Sequence, residues 1–251
     1  MGAVAHLWRH PIKSHGREAL DAVTLTAGQT VPWDRVWAVA HEASKFDAEN
    51  PAWAACQNFM LGTRTPALAG LWAQLDEAKA LVTLAHTDLG SLTFAPDDPA
   101  DAARFLAWIA PLCPADRAQP AALVKVPGRG MTDTDFPSVS IMTFASHEAV
   151  AKKLGHDLEL ERWRGNIWLE GIGAWDEMKW VGKTIRIGDT EIAVREPIKR
   201  CLHTAANPQT GKRDVDTLGA LKSGWGHQNF GVYGEVTTGG NIRLGDPMEV
   251  L

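Results

Sequence analysis

Apolar and polar positions along this chain repeat mostly with a period of two, in short runs separated by turn residues. Residues 3–10 alternate, with Val4 and His6 set against Ala5 and Leu7, and stop at His10-Pro11. Residues 22–26 and 36–41 are further short runs, β-branched or aromatic in character and divided by Ala27-Gly28 and Asp34-Arg35. Such runs at close spacing predict strands of a barrel or sandwich. Between 45 and 71 the periodicity fades, and the expectation is a loop with a short helix near 52–59. Residues 80–85 and 91–94 predict a hairpin around Asp88-Leu89-Gly90.

Asp98-Pro99 then opens a helix: a capping carboxylate is followed by proline in the first turn, with Phe105, Leu106 and Ile109 as the buried stripe. Pro111 or Pro114 ends it. Residues 123–126 and 139–144 predict strands, and Ser146 is the expected cap of a short helix carrying Val150 and Leu154. Residues 166–169 predict a strand, and 184–187 with 191–195 a clean hairpin about Gly188-Asp189. A brief helix is expected over 215–222. A last hairpin is expected from 230–237 and 242–244 around Gly239-Gly240-Asn241, before a final strand to Leu251. The pattern has hairpin-linked strands, no βαβ rhythm and no internal repeat. It predicts a mainly β, largely antiparallel fold with a few short helices.

Composition narrows the function more than the fold. A net charge of -5 gives no overall basic field, so nucleic acid and anionic membranes are not expected partners. Eleven tryptophans against one tyrosine are scattered, as core and pocket walls are, with no basic groove to make them a base-stacking platform. Three cysteines are too few for a disulfide framework or a four-cysteine metal site. No apolar run approaches the ~18 residues of a membrane span, and residues 1–9 lack a secretory h-region. The expectation is a cytoplasmic, reducing setting in which thiols stay free.

The strings of common hydrolases, zinc proteases and nucleotide-binding loops are absent. What remains is a set of short polar and cationic turns at strand ends: Lys13-Ser14, Asp34-Arg35, Arg164-Gly165-Asn166 and Lys199-Arg200-Cys201. Singly they read as solvated loop charges. Converging at one end of a barrel they would bind an anionic ligand, with arginine and lysine recognising phosphate by charge and fork geometry. Cys201 follows two cations, a setting that favours thiolate, the form that attacks or binds a metal. A thiolate within such a ring suits a soft or high-valent transition metal.

Read in order, these segments resemble the MOSC family, named for the C-terminal domain of molybdenum cofactor sulfurase, and within it the branch of the mitochondrial amidoxime-reducing component. The resemblance covers nearly the whole chain. It rests on the opening Val4-Ala5-His6-Leu7-Trp8-Arg9-His10-Pro11-Ile12-Lys13-Ser14 and on Asp34-Arg35-Val36-Trp37. It continues through Arg164-Gly165-Asn166-Ile167, Trp175-Asp176-Glu177-Met178-Lys179-Trp180 and Arg200-Cys201-Leu202-His203-Thr204 with Asn207-Pro208-Gln209-Thr210-Gly211. It closes on Phe230-Gly231-Val232-Tyr233. It implies an N-terminal β-barrel-like domain over residues 1–95 and a MOSC barrel over 96–251. It also implies a molybdenum cofactor (Mo-molybdopterin) with Cys201 as metal ligand and Lys13, Ser14, Arg35, Arg164, Asn166 and Arg200 as cofactor contacts. The implied activity is a molybdenum-dependent reduction of small N-oxygenated compounds such as hydroxylamines or amidoximes. Asp176 or Glu177 are candidate proton sources, and His203 is another candidate. Electrons would come from a separate donor protein of ferredoxin, flavoprotein or heme type. The same thiol in the same setting also fits a sulfur carrier holding a persulfide, or a molybdenum-cofactor carrier without reductase activity.

Overall fold

The computed structural model describes residues 2–251. The alternating opening run is β1 (Gly2–Arg9), which turns Val4 and Leu7 into the core and leads to β2 (Glu18–Leu20) and β3 (Ala22–Leu25). β4 (Trp37–His41) follows. A three-stranded meander comes next: β5 (Trp72–Asp76), β6 (Leu81–His86) and β7 (Gly90–Phe94). α1 (Pro99–Ile109) starts where the sequence predicts, with the Asp98 carboxylate accepting from the Asp101 amide at 2.9 Å. β8 (Pro120–Lys125) then returns to pair antiparallel with β4.

The second half builds the barrel. Its elements are β9 (Val139–Thr143), α2 (Phe144–Leu154), β10 (Ile167–Glu170), β11 (Thr184–Ile187), β12 (Thr190–Lys199), α3 (Thr217–Trp225), β13 (Asn229–Thr238), β14 (Gly240–Arg243) and β15 (Pro247–Val250). The strands lie in the order β10-β9-β13-β12-β11-β15-β1, and β1 also pairs with β10, so seven strands close on themselves. Closure leaves no open edge among the seven. Inside sit Val4, Leu7, Ile141, Ile167, Ile185, Ile192, Val194 and Val232, among others. Each such fully buried side chain contributes about 1.5–3 kcal/mol. α2 and α3 cover the outer wall over a second cluster of Met142, Trp163, Trp168 and Phe230. A third, centred on Trp37, Leu71, Leu84 and Phe105, is the core of the meander lobe.

The chain is therefore mainly β and largely antiparallel, as the alternation implies, with several local differences. The long region after β4 forms only two 3-10 turns, Cys56–Asn58 and Pro66–Gly70, where a loop with one short helix is expected. β2 and β5 are strands the sequence pattern does not reveal. The expected hairpin of β13 with β14 does not form: β12 pairs along β13 as far as Thr238, β9 pairs with Val232–Gly234, and β14 pairs with β3. Ser146 does not cap α2. Thr143 holds the N-cap position without a side-chain bond, and the Ser146 hydroxyl instead donates to the buried Glu177 carboxylate at 2.9 Å. One βαβ unit is present, because β9 and β10 are parallel and α2 joins them. β9 is buried on both faces by the barrel interior and α2, so its run shows no alternation.

Four ladders cross residue 95, the expected boundary between halves: β1–β10, β1–β15, β3–β14 and β4–β8. β1 from the N-terminal half completes the barrel, and β8 from the C-terminal half completes the β4 pair.

Asn166 pins three barrel strands at the point where closure occurs. Its amide oxygen accepts from the Ser140 amide (3.1 Å) and hydroxyl (2.7 Å), and its amide nitrogen donates to the Trp8 carbonyl at 3.2 Å. All of this lies out of water, so truncation strands buried partners. Asn166→Ala is expected to lower the unfolding free energy by roughly 2 kcal/mol, measured as the shift in denaturant midpoint at unchanged slope.

Candidate functional site

A cavity of about 270 Å³ opens where the barrel meets the meander lobe. Four separate chain segments bring cations to it. Lys13 and Ser14 follow β1, Arg35 precedes β4, Arg162 and Arg164 precede β10, and Lys199 with Arg200 ends β12 beside Cys201. The backbone ties these segments together. The Lys13 amide donates to Trp37 O at 2.8 Å, the Arg35 amide to His10 O at 2.7 Å, and the Met131 amide to Arg35 O at 2.7 Å. Buried Asp34 completes the knot by accepting from the His10 amide at 2.8 Å and pairing with the Arg35 guanidinium. Burial alone would raise the Asp34 pKa. The Arg35 charge and the His10 bonds outweigh it and hold the carboxyl well below its usual range.

Backbone strain gathers at the same place. Ser14, Arg35 and Arg164 all adopt left-handed conformations, with φ of 64°, 54° and 50°. Such a conformation costs a non-glycine residue roughly 1–2 kcal/mol. Non-glycine residues held there cluster where a site over-determines the backbone.

The cations are only partly compensated. Lys13 Nζ donates to Met131 O at 2.8 Å and pairs with Asp133, and Arg162 pairs with Glu159 and Asp214. Arg164 and Arg200 have no carboxylate. The Arg164 guanidinium donates to Gly16 O at 3.1 Å and leaves Nη2 buried without a partner. Arg200 donates to Phe230 O (2.8 Å) and Trp163 O (2.9 Å). Burial, then the neighbouring Arg35 and Arg17 charges, push Arg164 down to about 9. Burial is also the main cause that pushes Arg200 down to about 10. A site that strains to keep its own cations charged, with a buried donor left open, is built to receive an anion.

Cys201 is a free, exposed thiol at this cavity, and its sulfur accepts from the Thr63 hydroxyl at 3.3 Å. Its loop is held from the meander side: Arg17, buried, donates to Pro208 O at 2.8 Å as well as to Ala69 O and Leu71 O. Gly211, at φ 65°, lets that loop close on the Pro66–Gly70 turn, where a Cβ would lie 2.8 Å from Ala67 Cα. Gly62 is required for a different reason, since a Cβ there would fall 1.8 Å from His203 Nδ1.

Of the residues singled out in the sequence, Lys13, Ser14, Arg35, Arg164, Arg200 and Cys201 all line the cavity, as does His203. Asn166 does not; it stands behind the wall with its side chain spent on Ser140 and Trp8. Asp176 is also outside, its half-exposed carboxylate paired with Lys179 at 2.7 Å. Glu177 is fully buried between Thr143 and Ser146, away from the cavity lining. The acid that does face the cavity is Asp133. Desolvation in the cleft works to raise its pKa, but Lys13 and Arg35 prevail and hold it well below the usual carboxylate range. Cys56 lines the cavity too and donates to Asp133 at 3.0 Å, with burial and the adjacent carboxylate pushing its thiol up to about 11. Cys56 sits in the region without periodicity, so no sequence signal placed it there. Tyr233, the single tyrosine, also faces the cavity, its pKa raised chiefly by burial.

Fold and site together define a closed seven-stranded barrel with a joined β lobe, carrying a cationic, thiol-bearing cavity at their seam. The chain belongs to the MOSC family: the MOSC domain matches residues 131–249 and the MOSC N-terminal beta barrel domain residues 1–109. Human mitochondrial amidoxime reducing component 2 is 29% identical over 126 residues, which are 45% of this chain and 37% of that protein. Mouse mitochondrial amidoxime-reducing component 1 is 28% identical over 123 residues, 44% of this chain and 36% of that one. These matches thus span well under half the length of either relative. Among solved structures, the YUAD protein from Bacillus subtilis superposes with a TM-score of 0.49 at 14% identity, over 100% of this chain and 96% of that one. No helix among the described residues is long and apolar enough to cross a membrane.

The buried histidines make the fold and site acid-labile. Burial pushes His203 and His10 down to about 3, and His15 and His147 to about 4, with Arg164 adding to the effect at the first three. Each folded value lies below the unfolded one near 6.5, so the folded state binds fewer protons and stability is complete above that pH. It falls as pH drops toward the folded values, by about 1.4 kcal/mol per pH unit for each such histidine. Denaturant unfolding at pH 7.5 and pH 5 is expected to show a clear loss at the lower pH, reduced in His203→Gln.

Proposed function

We propose that this chain binds a molybdenum–molybdopterin cofactor in the cationic cavity and reduces small N-oxygenated compounds such as hydroxylamines and amidoximes. The observation that carries the reading is the pairing of one exposed thiol, Cys201, with Arg164 and Arg200, two guanidinium groups that no carboxylate neutralises. Membership of the MOSC family and the names of the amidoxime reducing components support it. The donor set fits the group: a soft sulfur for the metal, and fixed cations with an open buried N–H for an anionic pterin phosphate.

The Cys201 sulfur is the protein ligand, and the Thr63 hydroxyl, donating to it, orients it. Lys13, Ser14, Arg35, Arg164 and Arg200 hold the cofactor. Asn166 acts on it only by fixing Ser140 of β9 against the segment just before β10 that carries Arg164. When bound, the metal supplies the two-electron removal of oxygen. The balance for a hydroxylamine is R–NHOH plus two electrons and two protons giving R–NH2 and water. The electrons come from a separate carrier protein. Asp133, Cys56, His203 and Tyr233 are the titratable side chains that face the cavity beside the thiol and the cations, whereas Asp176 lies outside its lining.

The test is metal and pterin content of protein made in cells competent for molybdopterin synthesis. About one molybdenum per chain is expected, lost in Cys201→Ser, together with reduction of benzamidoxime by the loaded protein. A metal-free protein carrying a cyanolysable sulfur on Cys201 would show the sulfur-carrier role instead and sink the reading.

A further inference from the structure

One turn of the lobe, residues 61–65, is seated on the Cys201 loop. The turn is tight, with the Arg64 and Thr65 amides both donating to Leu61 O at 2.9 Å. Gly62 leaves no room for a side chain against the His203 ring. Thr63 then makes two contacts. Its carbonyl accepts from Arg213 Nη2 at 2.5 Å, and its hydroxyl lies 3.3 Å from the Cys201 sulfur. Arg213 stands on the return limb of the Cys201 loop, where it bridges to Ala206. Both limbs of that loop are thus tied to one residue of the lobe. The direction of the hydroxyl bond follows from chemistry. A sulfur that is ionised or metal-bound carries no proton, so the hydroxyl donates and the sulfur accepts. Thr65 offers a comparison within the same turn. It is fully buried, and its hydroxyl has no partner among the described residues.

We infer that Thr63, latched by Arg213, is a positioning residue that sets the electron density on the Cys201 sulfur as well as its direction. The thiol therefore reaches its working state only while the turn at residues 61–65 is seated on its loop. A hydroxyl donating to a sulfur draws electron density from it and stabilises its negative form, as hydrogen bonds to charged groups do. Donors to a coordinated thiolate in the same way raise the reduction potential of the metal it holds. The effect on a bound metal rests on the proposed reductase reading. The effect on the free thiol does not, because the contact is between two side chains of this chain. Arg213 touches neither the sulfur nor the hydroxyl. It acts by fixing the carbonyl of the residue that carries the hydroxyl.

The test compares Thr63→Val, which keeps the shape and removes the hydroxyl, with Thr63→Ser, which keeps the hydroxyl, and Thr65→Val, which removes the unbonded one. The full chain, free of metal, is treated with iodoacetamide at neutral pH, and the modified cysteine is identified by mass. Cys201 is exposed, whereas Cys56 and Cys113 are half-buried and burial pushes both thiols up to about 11, so they react slowly. Thr63→Val is expected to alkylate at Cys201 roughly fivefold more slowly, because the loss of thiolate outweighs its gain in nucleophilicity. Thr63→Ser and Thr65→Val should react at the wild-type rate. Arg213→Leu should slow the reaction too, and adding it to Thr63→Val should change nothing further, since both act through one bond. In molybdenum-loaded protein, redox titration should give a lower potential for Thr63→Val and the wild-type potential for Thr63→Ser. A wild-type alkylation rate in Thr63→Val, the same slowing in Thr65→Val, or additive effects of Arg213→Leu and Thr63→Val overturns the inference. Protein that takes up no molybdenum sinks the reductase reading alone, and the alkylation rates still decide this one.

Discussion

Pairing of the first strand on both of its edges is the constraint from which the site follows. β1 bonds to β10 on one side and to β15 and β2 on the other, and without it the seven-stranded barrel would stay open. Once β1 is locked, the chain leaving it at His10-Pro11 can only run along the seam between barrel and lobe. Lys13 and Ser14 are thereby delivered to the cavity. Asn166, anchored to Trp8 and Ser140, fixes Arg164 relative to the same strand. The cations thus come from sequence positions about 150 residues apart, and backbone pairing, not their mutual attraction, assembles them. Mutual repulsion must be overcome to do so, and it contributes to the lowered pKa of Arg164.

The cost of that assembly is visible in other currencies as well. Three non-glycine residues of the cavity sit in the left-handed region, and four histidines in or near the core cannot take a proton without loss of stability. Barrel closure and the apolar interior supply the stability that supports this strain. An anion in the cavity would relieve part of it, by giving Arg164 and Arg200 the counter-charge that the fold withholds. The arrangement therefore couples anion binding to local stability at the seam.

The meander lobe earns its place through what it puts against Cys201. Arg17 reaches from the β1–β2 connection to the Cys201 loop, and Gly211 permits the close approach of that loop to the Pro66–Gly70 turn. Thr63, Gly62 and Cys56 all come from the region after β4 that has almost no regular structure. A barrel alone would leave Cys201 open to water on that side. The lobe wall turns an exposed turn into one side of a cavity.

Alternation of apolar side chains determined most of the strands, because a half-buried strand must repeat every two residues. The Asp98 cap and the turn at Gly188-Asp189 were equally local and equally legible. The cationic turns and Cys201 could be recognised as residue types suited to an anion and a metal. Their meeting in one cavity is a fact of tertiary structure. β9 was expected from its apolar run at 139–144, although it does not alternate, because both of its faces are buried. β14 pairs with β3, a strand more than 200 residues earlier, and not with the strand just before it. Asn166 looked like a ligand contact and is a strand pin, while Asp176 looked like a proton source and pairs with Lys179 on the surface. Asp133, Cys56 and Tyr233 reach the cavity only through the closed barrel and its lobe. Local periodicity is written in neighbouring residues. Which distant loops share a cavity depends on barrel closure, a property of the whole chain.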